Sequence, residues 1–453
     1  MSHNIIQQKK SVGVIGAGYT GLTVGYRLAK QGYEVTIYEK SPLTGGLVAG
    51  FEMDGIPLER AYHFIYTTDH AVIDLAKEVG VDEHLSFHDS NVSTYYDGKL
   101  YPFMTPLDLL RFTPLSLIDR IRTGLVGFYL QKLTNWKPLT EVTAYDWLNK
   151  WNGKKATEII WTPLLKGKFD HYYDKVTMCW LWSRIHVRAN SKDSVQEKLG
   201  YLSGGFRILT DQMTQDIEDA GGHVYTSSDI SHISSETDGK VTIHTDQKAT
   251  TKTFDHVVAT TPSHVLGALT KNHPGMTPQY ASQLTSIDYI GAVVMIFSTD
   301  QEISDYYWHN INDERIPFLV LLSKTSLSGK ESTGGRYLYY IGDYVTHEHR
   351  YFSMDKKDIM AEWKDGLRTM FSHFDESQIV SEELFTFRNA QHIVDIGYEE
   401  KMPSYKTPIQ NLYLANFSQI FPDDRGINYA VKEGEKIAQM IEENAPWPAA
   451  DND

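Results

Sequence analysis

Cysteine is nearly absent from this chain: Cys179 stands alone among 453 residues. A single thiol excludes an intrachain disulfide framework and any multi-cysteine metal site. Set in an apolar run, it reads as a buried and inert side chain. Positive charge is also short. Lys and Arg number 43 against 58 Asp and Glu, a formal net charge of −15, which argues against nucleic acid as a partner because phosphate neutralisation needs a basic face. No window reaches the roughly 18 consecutive apolar residues of a membrane span. Residues 1–10 are polar and lack the apolar stretch of a secretory signal, so the expected location is cytoplasmic. No metal-ligand spacing stands out, and no metal is expected.

What is present is ordinary in bulk and specific in its motifs. The hydrophobic fraction of 41% and charged fraction of 22% are those of a soluble globular protein, and the length implies at least two interlocked domains. Residues 11–15 form a β-branched run with the pattern of a buried parallel strand. It leads into Gly16-Ala17-Gly18-Tyr19-Thr20-Gly21 and a run of helical spacing over 22–31. A second strand over 34–38 ends on Glu39. In such a βαβ unit the first glycine permits a tight turn, the second lets the backbone approach a pyrophosphate, and the third lets helix and strand pack closely. The helix N-terminus offers N–H groups and the positive dipole end to phosphate. Glu39, 18 residues after Gly21, is placed to accept hydrogen bonds from both ribose hydroxyls, and a carboxylate there disfavours a 2′-phosphate.

The continuation separates FAD from NAD. Ser41-Pro42-Leu43-Thr44-Gly45-Gly46-Leu47 directly follows Glu39 and Lys40. It resembles the second half of the FAD fingerprint in amine oxidase and protoporphyrinogen oxidase-like flavoproteins, where a Gly-Gly turn passes beside the cofactor. Three further segments carry the resemblance. Tyr201-Leu202-Ser203-Gly204-Gly205-Phe206-Arg207 precedes a helical run over 208–220 and the segment Gly221-Gly222-His223-Val224-Tyr225, similar to the family's strand beside the adenine. A buried strand ends in Ala259-Thr260-Thr261-Pro262. Near the C-terminus, Asn411-Leu412-Tyr413-Leu414-Ala415-Asn416-Phe417 is followed by Asp424-Arg425-Gly426-Ile427-Asn428-Tyr429-Ala430-Val431. In the family this last helix directs its N-terminus at the flavin. Asn416-Phe417 departs from the family's usual Gly-Asp or Gly-Glu, which leaves the ribityl contact to Asn416 or to another group.

The resemblance implies an α/β fold in which a discontinuous Rossmann-like FAD-binding domain (1–74, 199–262 and 396–453) carries an α+β substrate domain (75–198 and 263–395). The substrate domain would contain an antiparallel sheet, with strands expected at 291–299, 318–322 and 336–342, and a helical part. The implied cofactor is FAD. The cofactor-binding set is Gly16, Gly18, Tyr19, Thr20, Gly21, Glu39, Lys40, Gly45, Gly46, Leu47, Val224, Asn416 and Asn428.

Two segments are candidates for chemistry. The loop Glu59-Arg60-Ala61-Tyr62-His63-Phe64 follows a hairpin over 50–58, and its equivalent runs beside the flavin ring in this superfamily; it also resembles a His-containing loop of UDP-galactopyranose mutase. His63, with Tyr62 beside it, either hydrogen-bonds flavin or substrate or buttresses the loop. The second segment, 161–188, resembles the mutase region that holds a nucleotide sugar. Trp161 is its aromatic candidate, and Arg184 and Arg188, four apart, share a helical face and are spaced to pair a diphosphate; the other reading is a solvated basic edge with Trp in the core. Residues 104–133 are rich in Leu, Ile, Phe and Val with interspersed Arg. They read as a helix pair broken at Pro106 and Pro114, or as an amphipathic surface for a lipid or peripheral membrane contact.

Three functions fit these observations. The first is an FAD-dependent oxidoreductase passing hydride from a small-molecule substrate to flavin N5. The second is a mutase-like isomerase of a nucleotide sugar, and the third a non-catalytic FAD-stabilised binding protein. Oligomeric state is not legible.

Overall fold

A computed structural model describes residues 9–190, 197–246 and 251–443. Strand β1 (Ser11–Ile15), helix α1 (Tyr19–Lys30) and strand β2 (Glu34–Tyr38) form the expected βαβ unit. β1 and β2 lie in a five-stranded, wholly parallel sheet. β2 pairs on its far side with His223–Tyr225, and β1 pairs with His256–Ala259, which in turn pairs with Leu412–Leu414. A parallel sheet must be covered on both faces. One face carries α1 and the C-terminal helix Ile427–Glu442, with Leu22, Leu28, Val431, Ile437 and Ile441 buried between them. The other carries a three-stranded antiparallel sheet whose Ile243 and Phe254 press on Gly13 of β1.

A seven-stranded sheet runs in the order Ile379–His392, Tyr289–Thr299, Tyr337–Val345, Val320–Ser323, Trp308–Ile311, Val92–Tyr96, Lys99–Pro102. Its pairs are antiparallel except for Trp308–Ile311 with Val92–Tyr96. The three strands expected from sequence are all present within a few residues. Side-chain alternation divides the sheet: Val293, Met295 and Phe297 face helix Lys356–Met370 with its Trp363 and Leu367, while Ala292 and Val294 line a cavity on the opposite side. A small sheet joins Ile65–Tyr66, Lys198–Leu202 and Leu85–Asp89, so it ties together stretches on either side of the boundary expected near residue 74.

Helix α2 (His70–Glu78) packs with α1 and the C-terminal helix, and the helical part comprises α3 (Pro106–Arg111), α4 (Leu117–Lys132), α5 (Ala144–Trp151) and the helices Thr162–Phe169 and Met178–Asn190. Pro106 begins a helix rather than breaking one. It occupies the first turn, where its missing N–H costs nothing, behind a capping box in which Thr105 Oγ1 accepts from the Asp108 amide at 3.1 Å and Asp108 accepts from the Thr105 amide at 2.8 Å. Cys179 is fully buried, and burial pushes its thiol up to about 12, which suits an inert side chain.

Candidate active site

The glycine turns meet each other. Gly45 and Gly46 both have positive φ, 101° and 61°, and the Gly45 amide donates to Ala17 O at 2.8 Å. A Cβ on Gly46 would lie 3.2 Å from Gly18 Cα. A Cβ on Gly21 would lie 2.0 Å from the Gly16 carbonyl oxygen, so only glycine lets α1 approach β1 this closely. At Gly18 the added Cβ would meet nothing nearer than Gly46 Cα at 3.9 Å, which leaves open space in front of the helix. The N-terminus of α1 has no side-chain cap and no acidic residue in its first turn. That is a slot suited to an anion. Glu39 closes it, accepting from the Ala17 amide at 2.8 Å and the Ser41 amide at 2.7 Å, so its carboxylate is held beside the turn. These residues fit a dinucleotide.

The other expected cofactor contacts divide. Thr20 is half-buried in the first turn of α1, and Leu47 lines the cavity described below. Val224 pairs with Ile37 at the edge of the parallel sheet, two residues short of Glu39. Tyr19 is buried and its hydroxyl donates to Phe206 O at 2.9 Å, so the ring fastens α1 to the Gly204-Gly205 turn. Lys40 is an exposed side chain paired with Asp229 at 2.8 Å. Asn416 is a structural cap. Its Oδ1 accepts from the Ser418 amide and hydroxyl, and its Nδ2 donates to Thr261 O and Ser263 Oγ, so all four of its hydrogen bonds are made internally. Asn428 lines the cavity, but its Oδ1 accepts from the Ala71 and Val72 amides and so caps α2.

A cavity of about 470 Å³ begins at Leu47 and runs beneath the seven-stranded sheet. Tyr62, His63, Trp161, Arg184 and Arg188 all line it. The N-terminus of the C-terminal helix opens into it too: Gly426 is the N-cap, with no side-chain cap and no acidic residue in the first turn. His63 Nδ1 lies 2.8 Å from Ala61 O and therefore carries the proton, leaving Nε2 as the ring's acceptor. Burial pulls this imidazole down to about 4, with Arg425 adding to the effect against the Ala61 bond, so the ring is neutral near pH 7.

At the far end six residues from five separate stretches of the chain converge. Asp424 accepts from Lys168 Nζ at 3.2 Å and from Gln391 Nε2 at 3.1 Å, and lies 3.3 Å from Arg184 Nη1. Burial works against its charge, yet Lys168, Arg184 and Arg425 hold its carboxyl far below the usual range. Arg425 Nη2 donates to Tyr344 Oη at 3.0 Å, and Lys168 Nζ sits over the Tyr344 ring at 5.3 Å. Burial opposes ionisation of Tyr344 too, but Arg425 and Lys168 outweigh it and hold the phenol below 10. Its hydrogen-bonded neighbour Tyr62 is driven well above 10 by burial and by Tyr344, so Tyr62 keeps its proton. Asp343, also on the cavity wall, is raised well above its usual value by burial.

The paired-arginine clamp for a diphosphate is not what forms. Arg184 and Arg188 do share a helix face, but Arg188 is bidentate to the buried Glu197, Nε to Oε1 at 2.7 Å and Nη2 to Oε2 at 2.9 Å, and Arg184 is engaged with Asp424. Glu197 and Asp424 lie outside the helix that carries the arginines, so helical spacing could not reveal the pairing. In the sequence Asp424 and Arg425 stand only as the approach to a helix, and no local spacing marks Lys168, Tyr344 or Gln391 as part of a site. Nor does local spacing mark the role of Glu59, which is 1% exposed and accepts from the Phe206 amide at 2.7 Å and from Tyr201 Oη, itself in contact with Lys324 Nζ. Burial draws Lys324 down to about 8, with Glu59 opposing.

His392 lies behind Asp424, fully buried and set against Phe417 and Tyr398 with ring centroids 5.6 and 5.5 Å away. Among the described residues neither of its ring nitrogens has a hydrogen-bond partner. Burial pulls it to about 3 although Asp424 opposes. The folded state therefore excludes a proton that the unfolded chain binds below about pH 6.5, and stability falls as pH drops from there towards 3. His392→Phe is expected to gain on the parent by about 1.4 kcal/mol per pH unit across this window. Urea midpoints at pH 7.5, 6 and 5 measure it, and a constant difference would refute it.

Residues 19–441 match the family model described as flavin containing amine oxidoreductase. Coproporphyrinogen III oxidase of Staphylococcus aureus is 24% identical over 288 residues, 56% of this chain and 61% of that protein, so the match spans about three-fifths of that relative's length. Among solved structures, reduced UDP-galactopyranose mutase superposes with a TM-score of 0.75 at 16% identity, covering 96% of this chain and 94% of that one. Putrescine oxidase bound to putrescine superposes with a TM-score of 0.72 at 13% identity, covering 96% and 99%. Likenesses this low in identity show a shared fold, and that fold serves a porphyrinogen, a sugar and an amine alike. With the family model spanning the second glycine turn, the seven-stranded sheet and the cavity just described, the chain belongs to the flavin-containing amine oxidoreductases.

Proposed function

We propose that this protein is an FAD-dependent oxidoreductase that removes hydride from a small-molecule substrate bearing an anionic group. The observation that carries this reading is the continuity of one cavity from Leu47, beside the Gly45-Gly46 turn, to the Lys168, Arg184 and Arg425 cluster. Bound FAD would supply the hydride acceptor, its N5. In this reading Gly16, Gly18, Gly21 and Glu39 hold the dinucleotide, with Val224 near the adenine. The N-terminus of the C-terminal helix favours negative charge on the flavin through the backbone at Ile427 and Asn428. Stretches 1–74, 199–262 and 396–453 form the cofactor domain.

The chain's own groups position the substrate. Lys168 and Arg184 pair with the single carboxylate of Asp424 at the far end, Arg425 acts on it through space, and burial disfavours charge on Asp343, so that end attracts an anion such as a carboxylate. His63 accepts a hydrogen bond through Nε2. Tyr62 donates or holds a proton beside Tyr344. Trp161 and the sheet residues exclude water from the reacting carbon.

The isomerase reading is weakened by Arg184 and Arg188, both engaged by carboxylates. The binding-protein reading drew on the unusual Asn416, and that residue is accounted for as a cap.

Purified protein is expected to release FAD, identified by mass. Its flavin should bleach anaerobically on addition of a carboxylate-bearing donor such as a porphyrinogen and recover in air. Bleaching by amines alone would remove the anion assignment. Conversion of a UDP-sugar only after dithionite reduction would favour the isomerase, and absence of flavin would refute the whole reading.

A further inference from the structure

The phenol oxygen of Tyr344 receives donors and has nothing to donate to. Tyr344 pairs with Ala292 across the seven-stranded sheet, two residues beyond Gly342, which pairs with Val294. By strand alternation its side chain therefore shares the face on which Ala292 and Val294 line the cavity. Gly342 makes room beside it: an added Cβ would lie 2.8 Å from Tyr62 Cε1, so the missing side chain lets Tyr62 lie against the strand. Arg425 Nη2 donates to Tyr344 Oη at 3.0 Å, and Tyr62, which keeps its proton, is hydrogen-bonded to the same hydroxyl. Among the described residues no carbonyl or carboxylate accepts from Tyr344 Oη, and Tyr344 is the one hydrogen-bond partner of the Arg425 side chain. Two donors and no acceptor favour the phenolate over the phenol.

The charges around this oxygen act in the same direction. Lys168 faces it from helix Thr162–Phe169, Arg184 from helix Met178–Asn190, and Asp424 and Arg425 from the approach to the C-terminal helix. Asp343, its neighbour on the strand, is kept uncharged by burial. Asp424 is the one carboxylate paired with Lys168 and Arg184, so three cations retain an excess of positive charge. That excess can serve a phenolate and the anionic group of a substrate together. Arg425 also immediately precedes Gly426, the N-cap that opens into the cavity. Tyr344 thus stands one guanidinium away from the helix end read above as facing the flavin.

We propose that Tyr344 takes the proton released when the substrate is oxidised, which requires of the substrate an N–H or O–H attached to, or conjugated with, the carbon that gives up hydride. The inference rests on the oxidoreductase reading above. In the step, the C–H bond breaks and hydrogen leaves with both electrons to FAD. The N–H or O–H bond breaks and its proton passes to Tyr344 Oη. The electron pair left behind closes the new double bond, and the phenol later returns its proton to water. A hydrocarbon, whose second hydrogen is also on carbon, does not suit a phenolate base.

The flavoprotein is mixed anaerobically with coproporphyrinogen III, lactate or glutamate, and the bleaching rate at low donor concentration is followed from about pH 6 to 10. The rate of the responding donor should rise with pH. Tyr344→Phe should lower it by about 100-fold or more and abolish the rise, with flavin content retained. In 13Cζ-tyrosine NMR of the same flavoproteins, the resonance deleted by Tyr344→Phe should move to the ionised position below pH 10. Lys168→Met, which keeps Tyr344, should shift the resonance and the rate limb upward together. Equal bleaching by parent and Tyr344→Phe, a Tyr344 resonance that stays neutral up to pH 10, or movement of only one signal in Lys168→Met overturns the proposal alone. A parent flavin that no donor bleaches at any pH overturns the oxidoreductase reading and the proposal with it.

Discussion

Gly18→Ala is expected to weaken FAD binding while leaving the fold intact, and Gly21→Ala to damage both. The two positions lie three residues apart in one turn, yet an added methyl meets different surroundings. At Gly18 it would find only Gly46 Cα at 3.9 Å, and the backbone there is already in an ordinary conformation with φ −74°. The methyl fits the protein and intrudes on the space in front of the helix. A poorly accommodated methyl costs about 1–3 kcal/mol, so FAD affinity should fall about 10- to 100-fold with the melting temperature of the cofactor-free protein unchanged. At Gly21 the methyl would lie 2.0 Å from the Gly16 carbonyl and 3.1 Å from Thr260 Oγ1. Helix and strand must separate by more than 1 Å, roughly, to restore contact distance. The expected loss is about 3 kcal/mol or more, with negligible retained flavin. Gly127→Ala on α4, where nothing lies within 4 Å, is the control and should be neutral or slightly stabilising. Thermal melts and FAD titrations of the stripped proteins separate the cases. Equal loss of stability at Gly18 and Gly21 would contradict the account of the turn.

Asp424→Asn should produce the largest electrostatic effect. The carboxylate is 6% exposed and serves Lys168, Arg184 and Gln391 directly, with Arg425 acting on it through space. An amide of the same shape removes the one negative charge among three cations. Removing one partner of a buried pair costs about 3–5 kcal/mol, and access from the cavity places the value near about 3 kcal/mol here. Adding Lys168→Met to Asp424→Asn should recover about 1–2 kcal/mol, the coupling measured by a double-mutant cycle. The sign of the pH dependence follows from the direction of the shift. A carboxyl held below its unfolded value stabilises fully above about pH 4 and progressively less as pH falls towards the folded value. The penalty of Asp424→Asn should therefore be constant from pH 5 to 8, roughly, and shrink in stronger acid. A penalty that grows in acid would contradict it.

Much of the cofactor end was legible in order along the chain. The turns at Gly16 to Gly21 and at Gly45-Gly46 have the conformations and close approaches that their glycines imply, and Glu39 stands at the end of β2 as expected. Three of the strands over the cavity were also placed, because burial on both faces leaves continuous apolar runs. The substrate end was not legible. Arg184 and Arg188 looked like a free pair because their spacing is helical, but Glu197 and Asp424 neutralise them from outside that helix. Asn416 looked like a substitute ligand because a usual acid was missing, and it caps a turn instead. The 104–133 stretch carries apolar residues on more than one side of its helices, which does not tell which face is covered.

The amino-acid sequence by itself determined the βαβ turn, the acid beside it and the class of cofactor those residues suit, because the absence of a Cβ acts on the backbone within a few residues. Only the tertiary structure decided which charges neutralise one another around Asp424, which nitrogen of His63 remains an acceptor, and which side of α4 faces outward. Those outcomes depend on distances between groups remote in sequence and on burial.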